Sequence, residues 1–331
     1  MGEARNHHYV PQGYLRGFAD GFGRQAKVKV FDLDQMKSFP TNVRNIASKR
    51  DFNRLDDVEG LDPNALEERY SILEGHAATA IQNIAITRRF EGDDRMYVLN
   101  LMALLVIRNP RMRDTWADFM SRLWRLHSEI VVSKPEIWES TKRDMLRSGY
   151  TPSAEVTYAQ MRDFVKGGEY DIVTNRLVHI RMELETWEKM IHVLSARKWR
   201  LDILPDGAPN LITCDHPVTI IPLFETPKDG YMQHPVGYGM SETAVIFPLT
   251  RRMSLWGTFE DRDMTLGLDW LQAALNNSHT MRNAEKQIYA YDDNFDFMWG
   301  RERRQGKTLL DSLKKAQAER KARGEDDDDE W

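Results

Sequence analysis

The first readable pattern in the chain is an alternation. Lys27-Val28-Lys29-Val30-Phe31-Asp32-Leu33 places apolar side chains at every second position between Gly23 and Asp34-Gln35, which predicts a half-buried strand. A loop region through Pro40, Asn42 and Asn53 follows, up to Asp62-Pro63-Asn64, a helix start with proline in the entry turn. From there the period changes to three and four. Leu66, Tyr70, Leu73, Ala77, Ala80 and Ile84 predict an amphipathic helix over residues 65–86. Residues 94–107 are apolar nearly all round, as in a buried helix, and Pro110 bends or ends it. Helical spacing resumes over 111–131, with shorter helices at 135–146 and 153–165. After a break at Gly167-Gly168, a long helix follows over 171–198.

Beyond Trp199 short apolar runs separated by Pro and Gly predict strands at 201–204, 211–214, 218–221, 244–247 and 253–259. A last helix spans 265–284 and a closing strand 287–291. Residues 301–331 are mostly charged, ending in Glu325-Asp326-Asp327-Asp328-Asp329-Glu330, and read as a mobile helix or disordered tail. The sum is an α+β fold in one domain over residues 1–300. A central helical bundle, about 64–198, packs on a small mixed β-sheet formed by the N-terminal strand (7–33) and the C-terminal third (199–291).

Composition narrows the class. With 331 residues, 41% of them hydrophobic, the chain can fill a substantial core. The longest strongly apolar run, 98–107, covers half of the roughly 20 residues that span a bilayer, so no membrane is expected as a partner. The polar start lacks the apolar stretch of a signal peptide, and Asn6 stands where a myristoylation motif wants Ser or Thr. The single cysteine, Cys214, suits a reducing compartment, so cytoplasmic localisation is the default. The net charge of -5 argues against a wholly nucleic-acid-binding surface. It leaves room for a local basic groove, because Arg88, Arg89, Arg95, Arg108, Arg111, Arg113, Arg122 and Arg125 crowd one region.

The densest chemistry is at the start: His7-His8-Tyr9-Val10-Pro11-Gln12-Gly13-Tyr14-Leu15-Arg16-Gly17-Phe18. Two imidazoles, an amide, an arginine and several apolar anchors in so short a stretch describe an ordered terminus. With Ile72-Leu73-Glu74-Gly75, Arg108-Asn109-Pro110-Arg111, Ile212-Thr213-Cys214-Asp215-His216-Pro217-Val218, Phe247-Pro248-Leu249-Thr250 and Leu275-Asn276-Asn277, this block resembles domain-of-unknown-function family 4238, a mainly microbial family. The blocks run in order over roughly residues 7–291, so the resemblance implies a match to the whole domain. The family commonly shows Thr-Ser-Asp-Asn-Pro where this chain has Thr213-Cys214-Asp215-His216-Pro217, and Arg-Thr-Pro where it has Arg108-Asn109-Pro110. What it implies is a set of residues to inspect; it names no reaction.

The polar members of these blocks form the inventory of a hydrolytic site. His7, His8, Glu74, Arg108 and Asp215 are the catalytic candidates: imidazoles and carboxylates for proton transfer, and a guanidinium for phosphate charge. Gln12, Arg16 and Asn277 are substrate-binding candidates, and His8 with Asp215 the candidate ligands of a divalent metal ion of unassigned identity. None stands at a diagnostic metal spacing. Each also has a structural reading. His7 or His8 pins the terminus, Glu74 pairs with Arg16 or Arg108, Arg108 satisfies carbonyls orphaned by Pro110, Asp215 caps a turn, and Asn277 bridges helix and sheet. Phosphate-loop, dinucleotide-binding and serine-hydrolase motifs are absent. The favoured reading is a hydrolase of a phosphorylated substrate, a metal-dependent nuclease acting as toxin or defence effector being its sharpest form. Its partners are nucleic acid or a phosphorylated small molecule, with Arg111, Arg113, Arg122 and Arg125 tracking a backbone. The alternatives are a non-catalytic binding module and a small-ligand sensor.

Overall fold

The computed structural model describes residues 6–21, 23–55, 62–151, 155–223 and 236–323. Its N-terminal elements are β1 (Asn6–His8), α1 (Gln12–Leu15), β2 (Lys27–Asp32), β3 (Lys37–Asn42) and β4 (Ser48–Arg50). The helices α2 (Ala65–Thr87), α3 (Gly92–Ile107), α4 (Pro110–Val131), α5 (Pro135–Arg147), α6 (Tyr158–Gly167) and α7 (Arg176–Ala196) follow. Then come β5 (Lys198–Ile203), β6 (Thr213–Cys214), β7 (Thr219–Pro222), β8 (Thr243–Thr250), β9 (Met253–Thr258), β10 (Met264–Gly267) and α8 (Trp270–Asn283). The series closes with β11 (Gln287–Ala290), β12 (Asp296–Trp299), β13 (Glu302–Gln305) and α9 (Leu309–Arg323). The fold is α+β.

The strand elements form two principal sheets where the sequence suggests one. A four-stranded sheet, β3-β2-β11-β6, joins the N-terminal strands to the C-terminal third. A five-stranded sheet, β10-β5-β9-β8-β7, comes wholly from beyond Lys198. The loop expected at Pro40 and Asn42 is instead β3, antiparallel to β2 with Lys29 opposite Pro40. Pro40 is tolerated there because β3 is an edge strand.

The described residues divide into two compact units, one from Met1–Asn109 and Glu183–Trp331, the other from Pro110–Met182. In the first, α3 buries Val98, Leu99 and every residue from Leu101 to Ile107, as its all-round apolar sequence requires. It packs with Ala77, Ala80, Ile81 and Ile84 of α2 and with Trp199, Leu201, Val245, Phe247 and Leu255 of the five-stranded sheet. The second unit holds α4, α5 and α6 with the start of α7, so the expected bundle over 64–198 is divided between units.

Other departures trace to capping. Helix α6 begins at Tyr158 because Thr157 and Gln160 form a capping box, and part of the expected 153–165 start lies outside the described residues. Over 265–284, residues 264–267 form β10, parallel to β5, and α8 starts only after Asp269, capped reciprocally with Gln272. Of the stretch 301–331, read as a mobile helix or disordered tail, the described part forms β13, paired with β12 in a hairpin, and the helix α9. Leu309 is fully buried and Leu313 nearly so, against Phe31, Phe295 and Phe297. Two leucines a helical turn apart, with Leu310 beside them, dock a helix whose remaining positions are mostly charged or polar. No helix among the described residues is long and apolar enough to cross a membrane.

Leu309→Ala should therefore lower the unfolding free energy by about 2–5 kcal/mol in denaturant titration. A change under about 0.5 kcal/mol would mean that α9 does not pack.

Candidate functional site

The site grows from the break between α3 and α4. Pro110 has no N–H, so the end of α3 has carbonyls without donors. The Asn109 side chain supplies one: its Nδ2 donates to Leu105 O at 3.1 Å and Val106 O at 2.8 Å. The role the sequence left open for Arg108 is thus taken by its neighbour, and the Arg108 guanidinium turns to α2. With a side chain 1% exposed, it donates through Nη2 to Glu74 Oε1 at 2.7 Å and lies over the Tyr70 ring at 4.3 Å. Its Nε and Nη1 are buried and have no acceptor among the described residues. Buried donors left unmade cost about 1–3 kcal/mol each, and more when charged.

Helix α2 presents Glu67, Tyr70 and Glu74 at positions i, i+3 and i+7, one face of the helix. Gly13 lets α1 close on this helix, since a Cβ there would come within 2.9 Å of Ala78 Cβ. That contact brings the N-terminal strand alongside. β1 pairs antiparallel with β4, His7 opposite Lys49 and His8 opposite Ser48, and strand alternation sends the two imidazoles opposite ways. His7 is fully buried. Its Nδ1 accepts the Asn53 backbone N–H at 2.9 Å and lies 3.9 Å from Glu67 Oε2, which in turn accepts from Asn53 Nδ2 at 2.7 Å. The acceptor role of Nδ1 puts the His7 ring proton on Nε2. His8 is half-buried, and its Nε2 faces the Arg44 carbonyl at 3.3 Å. A carbonyl only accepts, so His8 also carries its proton on Nε2 and keeps a lone pair on Nδ1.

Burial sets the electrostatics. It pushes the Glu74 carboxyl up, against the pull of Arg108, and Glu67 adds to the rise. Desolvation pushes the His8 imidazole down; Arg44 O and Glu67 oppose this, while Arg108 and His7 reinforce it. A carboxyl that holds its proton longer than usual thus shares a field with an imidazole that stays neutral. Asn53 and Tyr70 are members of the cluster that sequence reasoning missed. For Tyr70 the signal was present in its spacing from Glu67 and Glu74.

The remaining candidates lie elsewhere. Asp215 is buried, its Oδ1 accepting from Glu285 N at 2.9 Å and its Oδ2 from Lys286 N at 2.7 Å and Gln287 N at 3.0 Å. Burial pushes its carboxyl up although His216 and these three amides pull it down. It is the turn cap of the structural reading, bracing the entry to β11, and no hydrogen bond or ion pair joins it to His8, Glu74 or Arg108. His216 pairs with Glu285 at 3.1 Å. Asn277 is spent on the fold: Oδ1 accepts from Ile212 N at 3.0 Å, and Nδ2 donates to Asn210 O at 3.0 Å and Asp296 O at 2.8 Å. Gln12 is half-buried and Arg16 exposed, and neither side chain hydrogen-bonds to the cluster.

Asp215, expected to share a metal with His8, has both carboxylate oxygens engaged by backbone amides. Among the described residues no group of three or more His, Cys, Asp or Glu is arranged to hold one. The expected arginine track is also not an exposed row. Arg113 is buried, and Arg125 donates to Tyr170 O at 2.7 Å with its guanidinium 4.9 Å from that ring.

A family model described as a protein of unknown function (DUF4238) matches residues 6–294, a span that includes every residue of the cluster. No curated protein and no solved structure matches the chain.

Two outcomes follow from these environments. Asp215→Ala, which strips three part-buried amides of their charged acceptor, should cost about 3 kcal/mol in denaturant unfolding. For His8, a folded pKa below the ordinary 6.5 means that its stability contribution is intact above that value and is lost as pH falls through the folded one. The melting temperature of His8→Gln should therefore fall less on acidification than that of the parent protein; parallel curves would show that His8 is not desolvated.

Proposed function

The chain belongs to the DUF4238 family of proteins of unknown function, and from the Arg108 cluster we propose that it is a hydrolase acting on a phosphorylated substrate. The observation that carries this reading is the buried guanidinium of Arg108, with one nitrogen tied to Glu74 and Nε and Nη1 without acceptors. A phosphoryl group supplies several acceptor oxygens and negative charge, matching an arginine with donors to spare. The Glu74 and Glu67 side chains are 19% and 29% exposed, so the cluster meets solvent along this carboxylate face.

In this reading Arg108 binds the phosphoryl oxygens and stabilises the charge that develops there. His8 Nδ1 takes a proton from the attacking water as its oxygen bonds to phosphorus. Glu74, in the protonated form that its burial favours, donates its proton to the leaving alkoxide as the P–O bond breaks. Binding and proton uptake are coupled, because a dianion beside Glu74 raises its carboxyl further. No metal is needed for these steps.

A second reading is a binding module that holds the same anion without turning it over. It is favoured by the engagement of His7, Asp215 and Asn277 in holding the fold.

Calorimetric titration with sulfate, whose charge is constant through the neutral range, tests the anion site. Affinity should rise as pH falls, and Arg108→Gln should abolish binding. Unchanged binding in that folded variant would remove both readings. Turnover then separates them, using an alkyl phosphate and an activated aryl phosphate, with and without a chelator. Glu74→Gln should lose about 10²–10⁴-fold on the alkyl ester and far less on the aryl ester, which needs no proton donor. Sulfate binding with no turnover of any ester would leave the binding module.

A further inference from the structure

The helical unit over Pro110–Met182 has a cavity where a core is expected. Among its described residues Val131, Val132, Val165 and Ile180 are the buried apolar side chains. Larger ones stay open to solvent, with Trp124 48%, Met145 42%, Leu146 51% and Tyr150 54% exposed. These four help to line a cavity of 480 Å³ formed by α4, α5 and α6. Helix α4 is held to its neighbours at the margins: Tyr158 Oη donates to Val132 O at 3.1 Å, and Arg125 Nη2 donates to Tyr170 O at 2.7 Å. The frame is fixed while the space between is unfilled.

We propose that this cavity is a binding site for an amphipathic carboxylate with a flexible apolar tail, of the medium-chain fatty acid class, independent of the Arg108 cluster. Its volume falls in the range of about 300–1,000 Å³ typical of small-molecule pockets, and pockets between bundle helices are a common location. The walls carry Val131, Val165, Met145 and Met161 together with Trp124 and Trp138. Unbranched thioether side chains adapt to a chain that has no fixed shape.

The polar wall residues decide the head group. Lys142 is half-buried in the lining and makes no ion pair among the described residues. His127 is also in the lining, edge-on to Trp124 with ring centroids 5.4 Å apart, and Ser128 and Thr141 contribute hydroxyls. The one acidic residue of the lining, Glu155, is exposed. One cation without a counter-ion, flanked by hydroxyl donors and set in an apolar wall, suits a ligand with a single negative charge at one end. A carboxylate meets that need.

The test is isothermal titration of the full chain with decanoate below its micellar concentration and with decanol below its solubility limit. Decanoate should bind at least about tenfold more tightly than decanol. Lys142→Gln should remove that preference and retain decanol binding, and Val165→Trp, which fills the cavity, should remove both. Circular dichroism verifies that each variant keeps its helices. Three results overturn the proposal: no decanoate binding to the parent protein, equal binding of acid and alcohol in parent and Lys142→Gln alike, or decanoate binding that survives in a folded Val165→Trp. If Val165→Trp fails to fold, Val131→Phe repeats the filling test from α4.

Discussion

A buried phenol ties the two ends of this chain together. Tyr14 sits in the first helical turn with its hydroxyl 2.7 Å from both Thr213 Oγ1 and Pro248 O, and its ring is stacked on Phe247 at 5.1 Å. Residues that far apart in sequence lose much chain entropy on meeting, and a fully buried hydroxyl tolerates no loss of its partners. The contact holds α1 between the strands of the C-terminal third and the face of α2. From there β1 lies along β4 and its histidines reach the end of α2. The position of His7 beside Glu67 therefore depends on a tyrosine that takes no part in the cluster.

Against that frame, the dominant electrostatic feature is a charge with too few partners. Burying a guanidinium is unfavourable unless its donors are matched, and Arg108 has one carboxylate and one aromatic face. Glu74 is perturbed for the same reason: removal from water raises its pKa by more than its ion pair lowers it. Arg197 is the contrasting case. It is also buried, yet it donates to the carbonyls of Tyr238, Thr243 and Gly257 and to Thr243 Oγ1, and desolvation lowers its pKa to about 10. Arg197 engages both Nη nitrogens and leaves only Nε without an acceptor, whereas Arg108 engages Nη2 alone. Hydrogen-bond accounting is what distinguishes the two arginines.

The same reasoning separates the two halves of the candidate list. Asp215 and Asn277 stand in motif-like blocks as prominent as that of His7 and His8, and both are saturated by backbone partners. Asp215 serves the start of β11, and Asn277 ties α8 to Ile212, Asn210 and Asp296. A residue prominent in sequence is equally at home in either role, because a carboxylate that accepts three amides looks the same in one dimension as a carboxylate that awaits a substrate.

Local pattern was sufficient for much of the architecture. The alternation at 27–33, the three-and-four spacing of α2, the apolar α3 and the halt at Pro110 all depend on neighbours within a few residues, and each element formed where those neighbours placed it. The grouping of Glu67 with Glu74 was legible for the same reason. Long-range pairing decided the rest. Whether strands made one sheet or two, and whether Leu309 and Leu313 found an aromatic floor for a charged helix, depended on partners outside the local window of sequence. So did the choice of Asn109 over Arg108 to serve the orphaned carbonyls, for it rested on Glu74 and Tyr70 waiting on another helix. Periodicity encodes which face a residue occupies, whereas the solvation and partners of a buried charge exist only once distant faces have met.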